Sequence, residues 1–271
     1  MKNNKRIEAV LGDDSILTLM NKSSYTNDDI SQILEEYYAN EDEYIKQCEL
    51  LEGGIKKFSG VHLIRSRVKS DLSICRKVLA YEETEGSPRI TKDNFSEVLT
   101  DIVGVRAIYL YISDYYQIYE QIRDSYSAFY SEKPRINFRD NEELFAYNKI
   151  LPLCEQKQWK YRSIHYTLRI PMNNGKTVKA EIQTRTVFEE GWSEVNQRAY
   201  KNGIADTDPI GIISGVINRL VGTSNELAEL MRRLEEHPQR VISKDEEAIL
   251  FEHEAPELYD ILKRFWAKPE L

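Results

Sequence analysis

The sequence is poor in cysteine. Cys48, Cys75 and Cys154 lie far apart and are odd in number. They exclude a disulfide framework and match no zinc-ligand spacing, so the expected compartment is a reducing one, the cytoplasm. Long apolar runs are also missing. The longest candidate, residues 209–218, is about half of the ~18 residues that span a bilayer, and no membrane partner is expected. Near the start, Lys2, Lys5 and Arg6 meet Glu8, Asp13 and Asp14 before any apolar run develops, so no signal peptide is read. There are no repeats and no linker rich in proline, glycine and serine. Excess positive charge is absent too: 37 basic and 45 acidic residues leave −8 over 271 residues, which speaks against a general polynucleotide binder.

What is present is unevenly placed. Residues 1–60 carry −5, residues 61–201 carry +3 and residues 202–271 carry −6. A mildly basic centre between acidic flanks is either a set of solvated helix faces or a site for an anionic ligand. Residues 27–57 read as helix, with Ile30, Ile33, Leu34, Tyr37, Tyr38, Tyr44, Ile45 and Leu51 on one stripe, and residues 71–81 as a second helix. Residues 102–112, rich in Val, Ile and Tyr, predict a strand covered on both faces, with a helix from Ser113 to about residue 129. Residues 131–160 read as loop, with a short strand near Leu144. Residues 163–171 and 176–185 alternate around Asn173-Asn174-Gly175, a hairpin signal. Helices follow at 186–201 and 210–236, and Ser243 with Glu246 resembles a capping box. Helices, then mixed strands and helices, then helices give an α/β centre with helical flanks: an extension over 1–60, a core over 61–202 and an extension over 203–271.

Four segments could carry chemistry. Arg67, Lys69, Arg76 and Lys77, with Ser70 and Ser73 at a helix start, are either an ordinary basic helix or a polyphosphate cradle. Asp101 opens the apolar strand that Arg106 interrupts; that arginine needs either a structural ion partner or an anionic or aromatic ligand. Lys157, Lys160, Tyr161, Arg162 and His165 mix cations with a ring able to stack on a base. Glu181, Gln183 and Arg185 share one strand face by period two, which is either solvent-exposed or an active-site lining. Together, two carboxylates, a cation-rich helix start and a stacking tyrosine are parts suited to metal-assisted phosphoryl transfer.

In this order the segments resemble the RelA/SpoT-type (p)ppGpp synthetases in their single-domain small form. The R-x-K-x-x-x-S-x-x-x-K pattern is met by Arg67, Lys69, Ser73 and Lys77, and D-x-x-G-x-R by Asp101, Gly104 and Arg106. G-Y-R-S-x-H appears as KYRSIH with Tyr161, Arg162, Ser163 and His165, and E-x-Q-x-R-T as Glu181 to Thr186. The resemblance covers roughly residues 28–202. It implies a mixed β-sheet core of nucleotidyltransferase type with helical N- and C-terminal extensions. ATP would give its β,γ-pyrophosphate to the ribose 3′-OH of GDP or GTP, releasing AMP. By the same resemblance Arg67 and Arg106 would sandwich the adenine, and Lys69, Ser73 and Lys77 would hold the phosphates. Asp101 would bind Mg²⁺, with Glu181 as second ligand or as base. Tyr161 would stack on guanine, and Lys157, Arg162, His165 and Gln183 would line the acceptor site. No His-Asp pair of a hydrolase half occurs. Three departures fall on the acceptor side: Lys160 for glycine, Asn196-Gln197 for Glu-His, and Glu190 for an asparagine. They leave open an alternative, a toxin of a toxin–antitoxin pair that uses the same ATP chemistry on tRNA or on adenine nucleotides. A homo-oligomer is a further expectation, as is an antitoxin partner for the toxin.

Overall fold

The computed structural model describes residues 2–81, 88–138, 147–158, 161–201 and 208–236. The chain divides into two units, Met1–Gln197 and Arg198–Leu271. In the first, helices α1 (Lys2–Leu11), α2 (Asp14–Met20), α3 (Asn27–Ala39) and α4 (Glu41–Ile55) precede strand β1 (Leu63–Val68). Then come α5 (Asp71–Leu79), α6 (Phe95–Val98), β2 (Val103–Tyr109), α7 (Tyr115–Tyr126), β3 (Arg135–Phe138), β4 (Glu155–Gln158), β5 (Ser163–Pro171), β6 (Thr177–Thr186) and α8 (Val187–Lys201), whose last turn belongs to the second unit.

The strands form one sheet in the order β1-β2-β6-β5-β3-β4. It is mixed: β2–β6 and β3–β4 are parallel, while β1–β2, β6–β5 and β5–β3 are antiparallel. This is the α/β class expected from the alternating pattern. The register sorts the side chains into two faces. Val103, Val105, Ala107, Ile164, Tyr166, Leu168, Ala180 and Ile182 are buried together with Ile7, Val10, Ile33, Leu34, Leu51, Ile55, Ile74 and Ile118 from the helices. Each such valine, leucine or isoleucine contributes about 1.5–3 kcal/mol by leaving water. The opposite face carries the polar residues: Gly104 pairs with Glu181 and Arg106 with Gln183, and His165 pairs with Gln183 from the other side.

Several expectations shift. The single helix over 27–57 is broken at Asn40, whose side chain donates back to the carbonyl and carboxylate of Glu36 and whose backbone leaves the helical region at φ −112°, ψ 3°. Strand β2 is buried on both faces only over Ala107–Tyr109; Gly104 and Arg106 turn onto the polar face and are half-buried. The loop reading of 131–160 missed β3 and β4. The hairpin holds, with Gly175 at φ +78° in the turn, a conformation glycine adopts without strain. Residue 144, Lys160, Ser243 and Glu246 lie outside the described residues.

In the second unit the described part is the end of α8 and the 29-residue helix α9 (Asp208–Glu236). Helix α9 exposes Ile212, Ile213, Val216, Leu220 and Met231. Among the described residues, no helix is long and apolar enough to cross a membrane.

Candidate active site

The site begins where β1 ends. Backbone N–H of Lys69 donates to the carbonyl of Ile102 (2.8 Å), and the Tyr37 hydroxyl donates to the carbonyl of Lys69 (2.8 Å), so the turn into α5 is pinned from both sides. Ser70 caps α5: its Oγ accepts from the backbone N–H of Ser73. The first turn of α5 therefore presents Ser73, and the next turn Lys77, beside the end of β1. Arg67, the register partner of Gly104, is exposed.

Asp101 stands just before β2. Lys69 Nζ lies 2.5 Å from its Oδ2 and Lys77 Nζ 2.6 Å from its Oδ1. Burial pushes the Asp101 carboxyl up, but the two ammonium groups outweigh it and hold the pKa at about 2, against an ordinary 3.8. Burial lowers the pKa of Lys69 against the pull of Asp101. Two lysines on one carboxylate leave a net positive corner, which suits an incoming polyphosphate.

Glu181, on β6, is buried differently. His165 Nδ1 lies 2.8 Å from its Oε1, and Gln183 Nε2 donates to its Oε2 at 2.5 Å. An ionised carboxylate only accepts, so Nδ1 carries the imidazole proton. Burial again pushes the carboxyl up, but the His165 and Gln183 contacts bring its pKa below the ordinary value. Arg185 continues the chain by donating to the Gln183 side-chain carbonyl. Glu181 pairs with Gly104 on β2, three residues after Asp101, so the two carboxylates stand on adjoining strand segments. Two neighbouring carboxylates fit Mg²⁺, which takes one or two protein carboxylates and completes its shell with water and substrate phosphate. Among the described residues no cluster of three or more histidine, cysteine or acidic ligands occurs, so a cage built wholly from described side chains is not present.

The Tyr161 ring lies 6.1 Å from the His165 ring at 32° and 5.8 Å from the Arg185 guanidinium. Burial raises the pKa of its hydroxyl. Lys157 is exposed on β4, the last strand of the sheet. Arg162 is buried, with Nε 3.4 Å from Glu189. Glu189 also accepts from the Thr186 N–H (2.7 Å), and its own N–H donates to Thr186 Oγ1 (3.2 Å), which fixes the start of α8.

Arg106 is the end of a cluster not legible in the motifs. Its Nη1 lies 3.0 Å from Glu190 and 2.6 Å from Glu194 on α8. Arg65, its register partner on β1, approaches the same two carboxylates at 3.4 and 3.6 Å. Glu190 thus sits with the arginines of β1 and β2. Period two from Arg67 to Arg65, and one helical turn from Glu190 to Glu194, were the available signals.

Residues 66–205, just over half of the chain, match the family model described as "Region found in RelA / SpoT proteins". The GTP pyrophosphokinase YwaC of Bacillus subtilis (strain 168) is 29% identical over 145 residues, which are 50% of this chain and 56% of that protein. The chain therefore spans about half the length of this curated relative. Two solved structures share the fold. Small alarmone synthetase 1 of Bacillus subtilis has a TM-score of 0.54 at 17% identity, over 74% of this chain and 98% of that one. A GTP pyrophosphokinase family protein of Streptococcus pneumoniae has a TM-score of 0.52 at 22% identity, over 75% and 95%.

Proposed function

Because the chain belongs to the family defined by the region found in RelA/SpoT proteins, we propose that it is an ATP:nucleotide 3′-pyrophosphotransferase making (p)ppGpp from ATP and GDP or GTP. The observation that carries this reading is the shared polar sheet face. It bears Glu181 and adjoins Asp101, a lysine-rich helix start and a half-buried tyrosine ring.

In this reading Lys69, Lys77 and Ser73 bind the ATP phosphates, the lysines exchanging part of their hold on Asp101 for phosphate oxygens. Arg67 and Arg106 offer flat guanidinium faces to the adenine. Tyr161 stacks on the acceptor base, and Lys157 adds positive charge at the acceptor end. Arg162, through Glu189, steadies the strand–helix junction beside it. The ribose 3′-oxygen attacks the β-phosphorus; the bond from that phosphorus to the α–β bridging oxygen breaks, and AMP leaves with the oxygen. Glu181, kept ionised and oriented by His165 and Gln183, either takes the hydroxyl proton or completes the magnesium site with Asp101. Bound Mg²⁺ would neutralise the charge that develops on the phosphates. Alignment of acceptor and donor supplies much of the remaining rate.

The test is to incubate the purified protein with Mg²⁺ and γ-labelled ATP, adding GDP, GTP, AMP, ADP or deacylated tRNA in parallel. Label on GDP or GTP with release of AMP is the expected result. Label on tRNA or adenine nucleotides alone would overturn the acceptor assignment, and label on nothing would overturn the activity.

A further inference from the structure

Three guanidinium groups converge on one buried carboxylate. Glu190 receives Arg106 at 3.0 Å and Arg65 at 3.4 Å on Oε1, and Arg185 lies 3.6 Å from Oε2. Its side chain is 8% exposed, and Oε2 makes no hydrogen bond among the described residues. One turn further along α8, Glu194 takes Arg106 at 2.6 Å and Arg65 at 3.6 Å, from a half-exposed position. The three arginines come from three neighbouring strands: Arg65 and Arg106 face each other across β1–β2, and Arg185 lies on β6 beside β2.

Like charges packed this closely repel unless a counter-charge sits among them. The geometry also has a direction. A guanidinium carries all its N–H groups on its edge, so carboxylates that take the edge leave both flat faces open for stacking. A ring bound to a face then finds the cation already oriented and loses less freedom on binding.

We propose that Glu190 is the positioning residue for the donor base: it holds the edge of Arg106, with Glu194 as its outer arm, so that the face of Arg106 is set for the adenine of ATP. This rests on the pyrophosphotransferase reading, and it goes beyond it by giving α8 a role on the donor side. Glu190 acts through Arg106 and need not touch the nucleotide.

The experiment measures equilibrium binding of a non-hydrolysable ATP analogue, then KM and kcat, for the intact protein and for Glu190→Gln, Glu190→Asp and Glu194→Gln. The glutamine keeps the shape and removes the charge. E190Q is expected to weaken analogue binding and raise KM for ATP about tenfold, with a smaller change in kcat and none in KM for GDP or GTP. E190D should recover part of the loss, and E194Q should cost only about two- to threefold. Unchanged analogue binding in both glutamine variants would overturn the proposal. So would an equal loss of ATP and acceptor binding, which is what a purely structural role gives. If E190Q fails to fold, E194Q decides by the same criterion. Failure of the unmodified protein to bind the analogue would instead remove the underlying functional reading.

Discussion

The two carboxylates of the site are held in opposite ways. Asp101 sits at a strand entrance, 19% exposed, between two lysine ammonium groups that reach it from a turn and a helix. Glu181 lies in mid-strand, and its partners are His165 on the neighbouring strand and Gln183 two residues along its own. Lysine stems are long and rotatable, so the Asp101 corner could change partners on the proposed arrival of phosphate. Imidazole and amide fixed on strands cannot move far, so the Glu181 corner keeps its geometry. One side is built to exchange charge, the other to hold a direction.

Removing both charges is the hardest test of that contrast. Asp101→Asn and Glu181→Gln should each lower pyrophosphate transfer by at least about a hundredfold while circular dichroism stays native. Near-full activity in either variant would break the site assignment. The next test separates the corners. Lys77→Met should raise KM for ATP, whereas His165→Phe should lower kcat with little change in KM for ATP, since it frees Glu181 to turn. Identical kinetic signatures would show that the two corners do not differ. Tyr161→Ala should raise KM for the acceptor nucleotide about tenfold, as expected for one lost stacking contact worth about 1–3 kcal/mol, and leave ATP binding unchanged.

The smallest effect is on stability. The folded pKa of Asp101, about 2, lies below its ordinary 3.8. The charged form is therefore favoured by folding, and the stabilisation is present above pH 4 and lost as pH falls from about 4 to 2. The amount is on the order of 2 kcal/mol. Urea unfolding at pH 5 and pH 2.5 should show a smaller loss of stability for Asp101→Asn than for the unmodified protein. Equal losses would mean that the lysines do not hold the charge.

The same contrast explains what could be read from the sequence. The hairpin β5–β6 was legible because alternation and Asn173-Asn174-Gly175 are local signals, and period two placed Glu181, Gln183 and Arg185 on one face. The start of α5 was legible from Ser70 and Ser73. Strand β4, with the sequence Glu155-Gln-Lys-Gln158, was not. All four residues are exposed, so no apolar period marks it, and only its parallel partner β3 makes it a strand. The arginine–glutamate cluster was hidden for another reason. Arg65 and Glu194 are 129 positions apart, and nothing in either neighbourhood announces the other. The break at Asn40 was hidden because the apolar stripe runs on across it.

The parallel pairing of β2 with β6 has a consequence in time. Asp101 and Glu181 are 80 residues apart in sequence, and they meet only because the last strand made inserts between β2 and β5. Pairings of such long range close late in folding. During synthesis, a chain that has emerged only as far as β5 carries the lysines, Asp101 and Tyr161 but has no second carboxylate and no centre to its sheet. The two carboxylates therefore come together only with the strand that also completes the sheet, so on the proposed reading a half-made chain would hold no complete site.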